Sequence, residues 1–386
     1  MSPPQLYDPN SPDEQPVALP SAPQITLAEG VILQSPLTRR GTGPGLIAFI
    51  PPDSTLNLSP KSGDDKPLDP EPVQKWAEEG FAVVGMVCSI SPELDTRDKF
   101  AIAVYDARVL AEVVSTIQQD SSRLVCLGIY GCSLATPPPV PTLVCVPSSM
   151  DVVSTPNLTI CKLDCPSSSF VLPQTVDFHT AAASIAHSKA AVHFKKYLGG
   201  PFFDLEAIWE EHTYFEFEVR SVAKTMGTMV AEPYVNHVPT LAGGIGRKQL
   251  SAFYRDHFVF SNPKDTSLQT ISRTVGSDRV VDEFIFNATH DKQIDWLLPG
   301  VPPTGKKLAV PMLGVINIRG DRLYHEHIWW DQGTALMQAG IIPTHVPLDG
   351  KILRLPIAGV ESATLLIDER AVPPNEMLGS KYGFVV

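Results

Sequence analysis

V-P-M-L-G-V-I-N-I-R-G-D-R-L-Y-H-E-H-I-W-W-D, residues 310–331, is the stretch on which the fold turns. It reads as two strands joined by a tight turn at Arg319-Gly320-Asp321-Arg322, whose Gly-Asp pair supplies the tolerance of positive φ that hairpins need. From Leu323 onward the pattern has a period of two, and successive side chains of a strand point to opposite faces. Leu323, His325, His327, Trp329 and Asp331 therefore share one face, while Tyr324, Glu326, Ile328 and Trp330 share the other. The first face carries two imidazoles, an indole and a carboxylate, where a purely structural strand would more often carry Val, Ile and Thr. Titratable groups beside an aromatic wall suggest a pocket on that face. The plainer reading is a solvated sheet face, with Asp331 capping a helical segment at residues 332–337.

A chain of 386 residues favours two domains with ample core in each. The net charge of −12 argues against a nucleic-acid or anionic-membrane surface. Residues 1–23 are polar and Pro-rich without a basic-then-apolar signal, and no apolar run is long enough for a bilayer, so a cytoplasmic protein is expected. All six cysteines lie between Cys88 and Cys165. Cys88, Cys126 and Cys145 sit in apolar runs and read as small core residues. Cys161 and Cys165 have no second pair to complete a zinc site, and a reduced compartment fits this usage.

Residues 1–40 recur in Pro, lack periodicity and read as an extended arm. Continuous apolar runs follow at residues 45–50, 81–88, 123–130, 142–146 and 158–163. Such runs mark strands buried on both faces of a parallel sheet. Helical patterns at 72–79, 99–119 and 180–198 make residues 41–200 an α/β layered domain. The strand-turn-helix order expected around residues 124–133, G-I-Y-G-C-S within it, is where an α/β hydrolase places its nucleophile. This domain resembles dienelactone hydrolases, whose elbow is Gly-x-Cys-x-Gly with a distant Asp and His. Gly128 matches the first Gly, Tyr130 falls at the nucleophile, Cys132 falls at the last Gly, and His179 matches the His, with an acid near Asp164. The motif is broken and a phenol is a poor nucleophile at neutral pH, so a scaffold that has lost catalysis is expected; Cys132 or Ser133 is the alternative nucleophile.

Gly199-Gly200-Pro201 marks the boundary to a second domain, residues 201–345. Asp204 caps a long helix running to about residue 230, with Trp209, Tyr214, Phe215 and Phe217 as packing residues and Glu210, Glu211, Glu216 and Glu218 on its solvated side. Y-V-N-H-V-P at 234–239, a Gly-rich turn, a helix at 247–258 and strands at 268–275, 279–289 and 308–318 follow. Helices followed by mostly antiparallel strands give an α+β domain enclosing a cone-shaped cavity. Y-V-N-H-V-P, F-N-A-T-H-D-K-Q-I-D-W-L-L-P-G-V-P-P-T-G-K and G-D-R-L-Y-H-E-H-I-W-W-D carry a resemblance, over about residues 211–342, to the SnoaL-like polyketide cyclases of the nuclear-transport-factor-two-like superfold. The pairing with a hydrolase-like first half looks like a multidomain type common in fungi. The resemblance implies Asp331 as acid/base in a cofactor-free aldol cyclisation, with His237 and His290 lining the pocket. The His325-Glu326-His327 cluster departs from a plain cyclase pocket.

The expected function is a cofactor-free cyclase, isomerase or dehydratase acting on a hydrophobic carbonyl-containing secondary metabolite. Asp331 takes a C–H proton and His290 or His325 stabilises the enolate, with Tyr234, His237, Glu283, Trp296, His327 and Trp329 lining the substrate. No cofactor and no metal are expected; the alternative is an ion held by His237, His290, His325 and His327 with a carboxylate. An ester or lactone hydrolase around His179 and a non-catalytic ligand-binding protein are the other readings. His187, His193, His212, His257 and His345 read as surface or core-edge residues. The tail, residues 346–386, carries Ile352, Leu353, Leu355, Ile357, Leu365 and Ile367, and is expected to pack on the body or on a second subunit of a homodimer formed through the second domain's sheet.

Overall fold

A computed structural model describes residues 6–87, 99–119, 122–134, 136, 138–379 and 381–385. It divides into two compact units: an α/β unit, Leu19–Asp204 with Arg319–Arg322, and an α+β unit, Met1–Ala18, Leu205–Ile318 and Leu323–Val386.

In the α/β unit the apolar runs become strands. The elements are β1 (Ile25–Ala28), β2 (Val31–Gln34), β3 (Gly45–Phe49), α1 (Pro72–Glu78), β4 (Ala82–Met86), β5 (Phe100–Val104), α2 (Leu110–Gln119), β6 (Leu124–Tyr130), β7 (Thr142–Pro147), β8 (Leu158–Leu163) and α3 (Thr180–Leu198). They form one eight-stranded sheet in the order β1-β2-β4-β3-β5-β6-β7-β8. The strands from β3 to β8 pair in parallel. Both faces are covered, as uninterrupted apolar runs require. Leu46 and Ala48 join Trp76, Phe81 and Phe194 on one face; Ile47 and Phe49 join Val113 and Ile117 on the other.

Three expectations change here. Residues 25–34 are two strands of the sheet, not part of an arm without regular structure. The predicted helix at 99–119 begins as strand β5, because F-A-I-A-V is apolar at every position and fits a doubly buried strand; only its later part is helix α2. The strand-turn-helix elbow does not form: the described residues between β6 and β7 contain no helix, and Pro138, Pro139 and Pro141 deny a helix its donors. Gly128 is explained by packing, since a Cβ there would fall 2.6 Å from Phe194 Cζ. Tyr130 is buried and stacked on Tyr105 at 4.4 Å, and burial pushes its phenol well above the usual range. Burial likewise pushes the Cys132 thiol up to about 12. His179 caps α3, its ring accepting from Ala182 N at 3.2 Å. Cys88 lies outside the described residues.

This unit also buries a network of charges. Lys75 bonds Asp69, and Arg319 reaches Asp69 at 2.8 Å and Glu78 at 2.7 Å. Glu79 accepts from Lys195 and meets His187, each at 2.9 Å.

The α+β unit contains α4 (Leu205–Tyr214), α5 (Val222–Gly227), β9 (Met229–His237), β10 (Ala242–Ile245), α6 (Gly246–Phe253), β11 (Ser267–Val275), β12 (Arg279–Thr289), β13 (Lys307–Arg319), β14 (Arg322–Trp330), α7 (Gln332–Gln338), β15 (His345–Leu348), β16 (Lys351–Arg354), α8 (Glu361–Ile367) and β17 (Gly383–Val385). Six strands form a sheet in the order β10-β9-β14-β13-β12-β11, and β14 pairs with β9 in parallel. Gly320, in the turn between β13 and β14, has φ +60°, as the sequence leads one to expect of a tight turn. No helix among the described residues is long and apolar enough to cross a membrane.

The long helix predicted from residue 204 to 230 is interrupted. After α4 comes a π-helical turn, Phe215–Val219, then Arg220 at φ 56° and a fresh N-cap at Ser221. Glu14 helps start α5, its carboxylate accepting from Val222 N and Ala223 N at 2.9 Å. The beginning of the arm is thus tied into this unit. The tail forms β15, β16, β17 and α8, yet Ile352 stays 48% and Ile367 58% exposed.

Candidate functional site

Strand β14 buries the face of Glu326, Ile328 and Trp330, opposite the face of His325 and His327. Trp329 is 47% exposed on that other face. Parallel pairing sets Glu326 against Val235 and Ile328 against His237, so this face meets the buried face of β9. The result is a pocket with about 390 Å³ of empty space, its open mouth included. Its walls include Trp209, Phe217, Phe258, Phe284, Phe286 and Trp296, and its polar lining is Thr213, Glu216, His237 and Glu326.

Glu216 and Glu326 are held by a fully buried histidine. His212 Nε2 lies 3.1 Å from Oε1 of each carboxylate. His212 Nδ1 lies 2.6 Å from Thr228 Oγ1, whose hydroxyl donates to Thr225 O at 2.7 Å. Because the hydroxyl proton is already given away, Nδ1–H donates to Thr228. The proton that can vary is therefore the one on Nε2. Tyr254 OH closes the cluster at 3.3 Å from Nε2 and donates to Glu326 Oε1 at 3.5 Å.

Local backbone explains the placement. His212 and Glu216 stand four apart and so share a helical face. Glu216 and Phe217 lie in the π-helical turn after α4, and Tyr254 and Phe258 lie in a second π-helical turn, Tyr254–Phe258, after α6. Such turns often mark functional sites. Burial alone would push His212 down, but Glu216 and Glu326 outweigh it and raise the imidazolium to about 10. Burial raises Glu216, His212 opposing and Glu326 adding to the rise. Tyr254 is pushed well above the phenol range by burial and then by the two carboxylates.

Of the predicted site residues, His237 and Trp296 come together at 4.9 Å, and the others lie elsewhere. Asp331 is exposed and serves as the N-cap of α7, accepting from Thr334 N at 2.5 Å. The expected carboxylate pressed against Trp329 is therefore replaced by a solvated cap. His325 and His327 stack on each other at 4.8 Å on the face opposite Glu326, and Tyr234 meets His327 edge-on at 5.5 Å. Glu283 accepts from Ser272 at an exposed position; its inward neighbour Asp282 is taken by Trp209 Nε1 and Arg273. His290 is buried, meets Thr304 Oγ1 at 3.1 Å and is outside the pocket wall. His237 and Trp296 do line the pocket. Burial lowers the His237 imidazole to about 4, with Glu326 opposing. His212 and Glu216, expected at the surface or core edge, are 0% and 3% exposed. The i, i+4 spacing of H-T-Y-F-E was the available signal.

The four histidines of the alternative metal reading do not converge, since His325 and His327 face away from His237. His212, Glu216 and Glu326 do: one ligand atom from each lies within 4.8 Å of the others. That donor set could take a divalent cation in place of the Nε2 proton.

No family model and no curated protein matches the chain. Among solved structures it is similar to a candidate SnoaL-like polyketide cyclase from Jannaschia sp. CCS1, with 17% identity over 37% of this chain and 99% of that one, at a TM-score of 0.30. A hypothetical protein of ketosteroid-isomerase-like fold from Catenulispora acidiphila, in complex with trimethylamine, shares 16% identity over 36% of this chain and 97% of its own, at a TM-score of 0.29. TsrD from Streptomyces laurentii shares 16% over 36% of this chain and all of its own, at 0.30. Similarity to SnoaL-like and related structures thus extends over little more than a third of the chain.

Proposed function

We propose that the α+β unit is a cofactor-free acid–base enzyme that moves a proton on a hydrophobic carbonyl compound, in a cyclisation, isomerisation or dehydration. The observation that supports this is a pair of buried carboxylates, Glu216 and Glu326, opening on an aromatic pocket and sharing one imidazole at 3.1 Å. Glu326 takes the proton from carbon. Glu216, whose proton burial favours, gives one back at the carbonyl oxygen or a neighbouring carbon. His212 is a positioning residue: it holds both carboxylates and balances the charge that develops. The aromatic walls hold a flat apolar skeleton and keep water from the enolate.

The test uses β-tetralone, a bicyclic ketone with acidic α-protons, in deuterated buffer with exchange followed by proton NMR. The wild-type protein should speed α-deuteration above the buffer rate. Glu326→Gln should reduce that rate roughly a hundredfold or more with the fold intact. No acceleration by the wild type, or an unaltered rate in the variant, would refute the assignment. Elemental analysis of the same protein decides the metal reading that the three donors allow: one equivalent of a divalent ion, with the rate lost on chelation, would make Lewis-acid chemistry the better account.

A further inference from the structure

The α/β unit carries a second reactive cluster that the pocket chemistry leaves unused. Cys145 on β7 and Cys161 on β8 are direct partners in the parallel register. Cys145 is fully buried and Cys161 is partly exposed. As register partners they stand on the same sheet face, where Cys161 packs against the core that contains Cys145, and the Lys189 ammonium acts on both. Strand β8 forms the edge of its sheet, so it has a neighbour on one side alone and can move further than an inner strand.

The other described thiols are in different surroundings. Burial pushes Cys126 and Cys132 up to about 12, and Cys165 is raised as well. At Cys161 the hydrogen bond from Cys145, and after it Lys189, overcome burial and bring the thiol down to about 7. A thiolate beside a cation, with a second thiol in reach, is the arrangement of an oxidisable cysteine with its resolving partner.

We propose that Cys161 and Cys145 form a peroxide-sensitive thiol pair, in which Cys161 is oxidised first and Cys145 closes a disulfide on it. In the first step the Cys161 thiolate attacks one oxygen of hydrogen peroxide. An S–O bond forms, the O–O bond breaks, and the departing hydroxide takes a proton to become water. Sulfur has lost two electrons and stands as a sulfenic acid. In the second step the Cys145 sulfur attacks the Cys161 sulfur. The S–S bond forms, the S–O bond breaks, and hydroxide leaves with the Cys145 proton as a second water. Neighbouring strands lie about 4.8 Å apart. That spacing falls within the about 4.4–6.8 Å that a disulfide allows between its Cα atoms, so the pair can close. Cys161 is partly exposed on an edge strand, so the closed bond is within reach of a reducing thiol.

The experiment is peroxide treatment of the full chain at neutral pH, followed by intact-mass measurement and peptide mapping. The wild type should lose the mass of two hydrogens, yield one cross-linked peptide pair holding Cys145 and Cys161, and regain its mass with dithiothreitol. Cys145→Ser should instead accumulate a sulfenic acid that dimedone labels at Cys161. Cys161→Ser should leave Cys145 unlabelled and form no disulfide. A disulfide between other cysteines, first labelling at Cys126, Cys132 or Cys165, or an unchanged mass under excess peroxide would each overturn the proposal. Both variants keep the apolar size of the site, and wild-type-like circular dichroism certifies that a negative result is not unfolding.

Discussion

In the α/β unit, Asp69, Glu78 and Glu79 are buried beside Lys75, Lys195 and Arg319; in the α+β unit, Glu216 and Glu326 are buried beside one imidazole. Burial raises Asp69 and Glu79, but Lys75 and Arg319 at the first, and Lys195 with His187 at the second, outweigh it and hold both below the usual carboxylate range. For Glu216 burial wins, and the carboxyl is raised. Lysine and arginine are fixed charges near neutrality, so they close the first network into structure. In the second cluster one imidazolium stands against two carboxylates, so the cluster is under-neutralised and one carboxyl keeps a proton that can move. Depth of burial does not separate the two clusters; the balance of charge does.

The largest effect on folding should come from removing a fixed cation. Lys195→Met leaves Glu79 with His187 as its remaining partner among the bonds described above, and should cost about 3–5 kcal/mol in urea unfolding. The double variant Glu79→Gln/Lys195→Met should recover most of that, because an uncharged pair has no buried charge to compensate. A cost below about 1 kcal/mol for Lys195→Met would show that the network is solvated and the comparison unsound.

The two clusters should also answer pH differently. An ordinary imidazole titrates near 6.5, while His212 in the folded unit is raised to about 10. The folded state therefore binds the proton more tightly than the unfolded chain. Its contribution to stability is complete below pH 6.5 and is lost as pH rises toward 10. Asp69 and Glu79 are lowered, so their contribution is present above the ordinary carboxylate range and is lost as pH falls through it. Between pH 6.5 and 9, amide-exchange protection in α4 and β14 should fall by up to about 1.4 kcal/mol per pH unit. Protection in α1 and α3 should not fall over that interval. His212→Gln should flatten the dependence, and an unchanged slope in that variant would remove His212 as its source. Glu216, Glu326 and Tyr254 face His212; the raised carboxyl of Glu216 and the raised phenol of Tyr254 also favour the protonated, more acidic side.

How far the molecule could be read in advance follows from the same contrast. G-L-I-A-F, L-V-C-L-G-I-Y and T-L-V-C-V announce strands because burial on both faces leaves no polar position to interrupt them. F-A-I-A-V was misread because an unbroken apolar run has neither a helical nor a strand period. The alternation of β14 was legible, but which face turns inward was not. Both faces carry aromatic and ionisable residues, and the choice is made by β9, which sets Val235 and His237 beside Glu326 and Ile328. His212 and Glu216 were visible as an i, i+4 pair. Glutamate is ordinarily exposed, and nothing local announces that Glu326, more than a hundred residues later, completes the cluster.

The smallest effect is also the sharpest test of that choice of face. Asp331 accepts from Thr334 N and starts α7, the task of an N-cap. Asp331→Ala should cost about 1 kcal/mol of stability, and Asp331→Asn much less, because asparagine caps nearly as well. Neither should change the deuteration rate of β-tetralone, since Asp331 is exposed and lies outside the pocket wall. A base has the opposite signature: the asparagine variant would keep the stability and lose the rate. If Asp331→Asn abolished exchange while Glu326→Gln left it intact, the reacting face of β14 would be that of His325 and His327. The cluster around His212 would then be a structural device like its counterpart in the α/β unit.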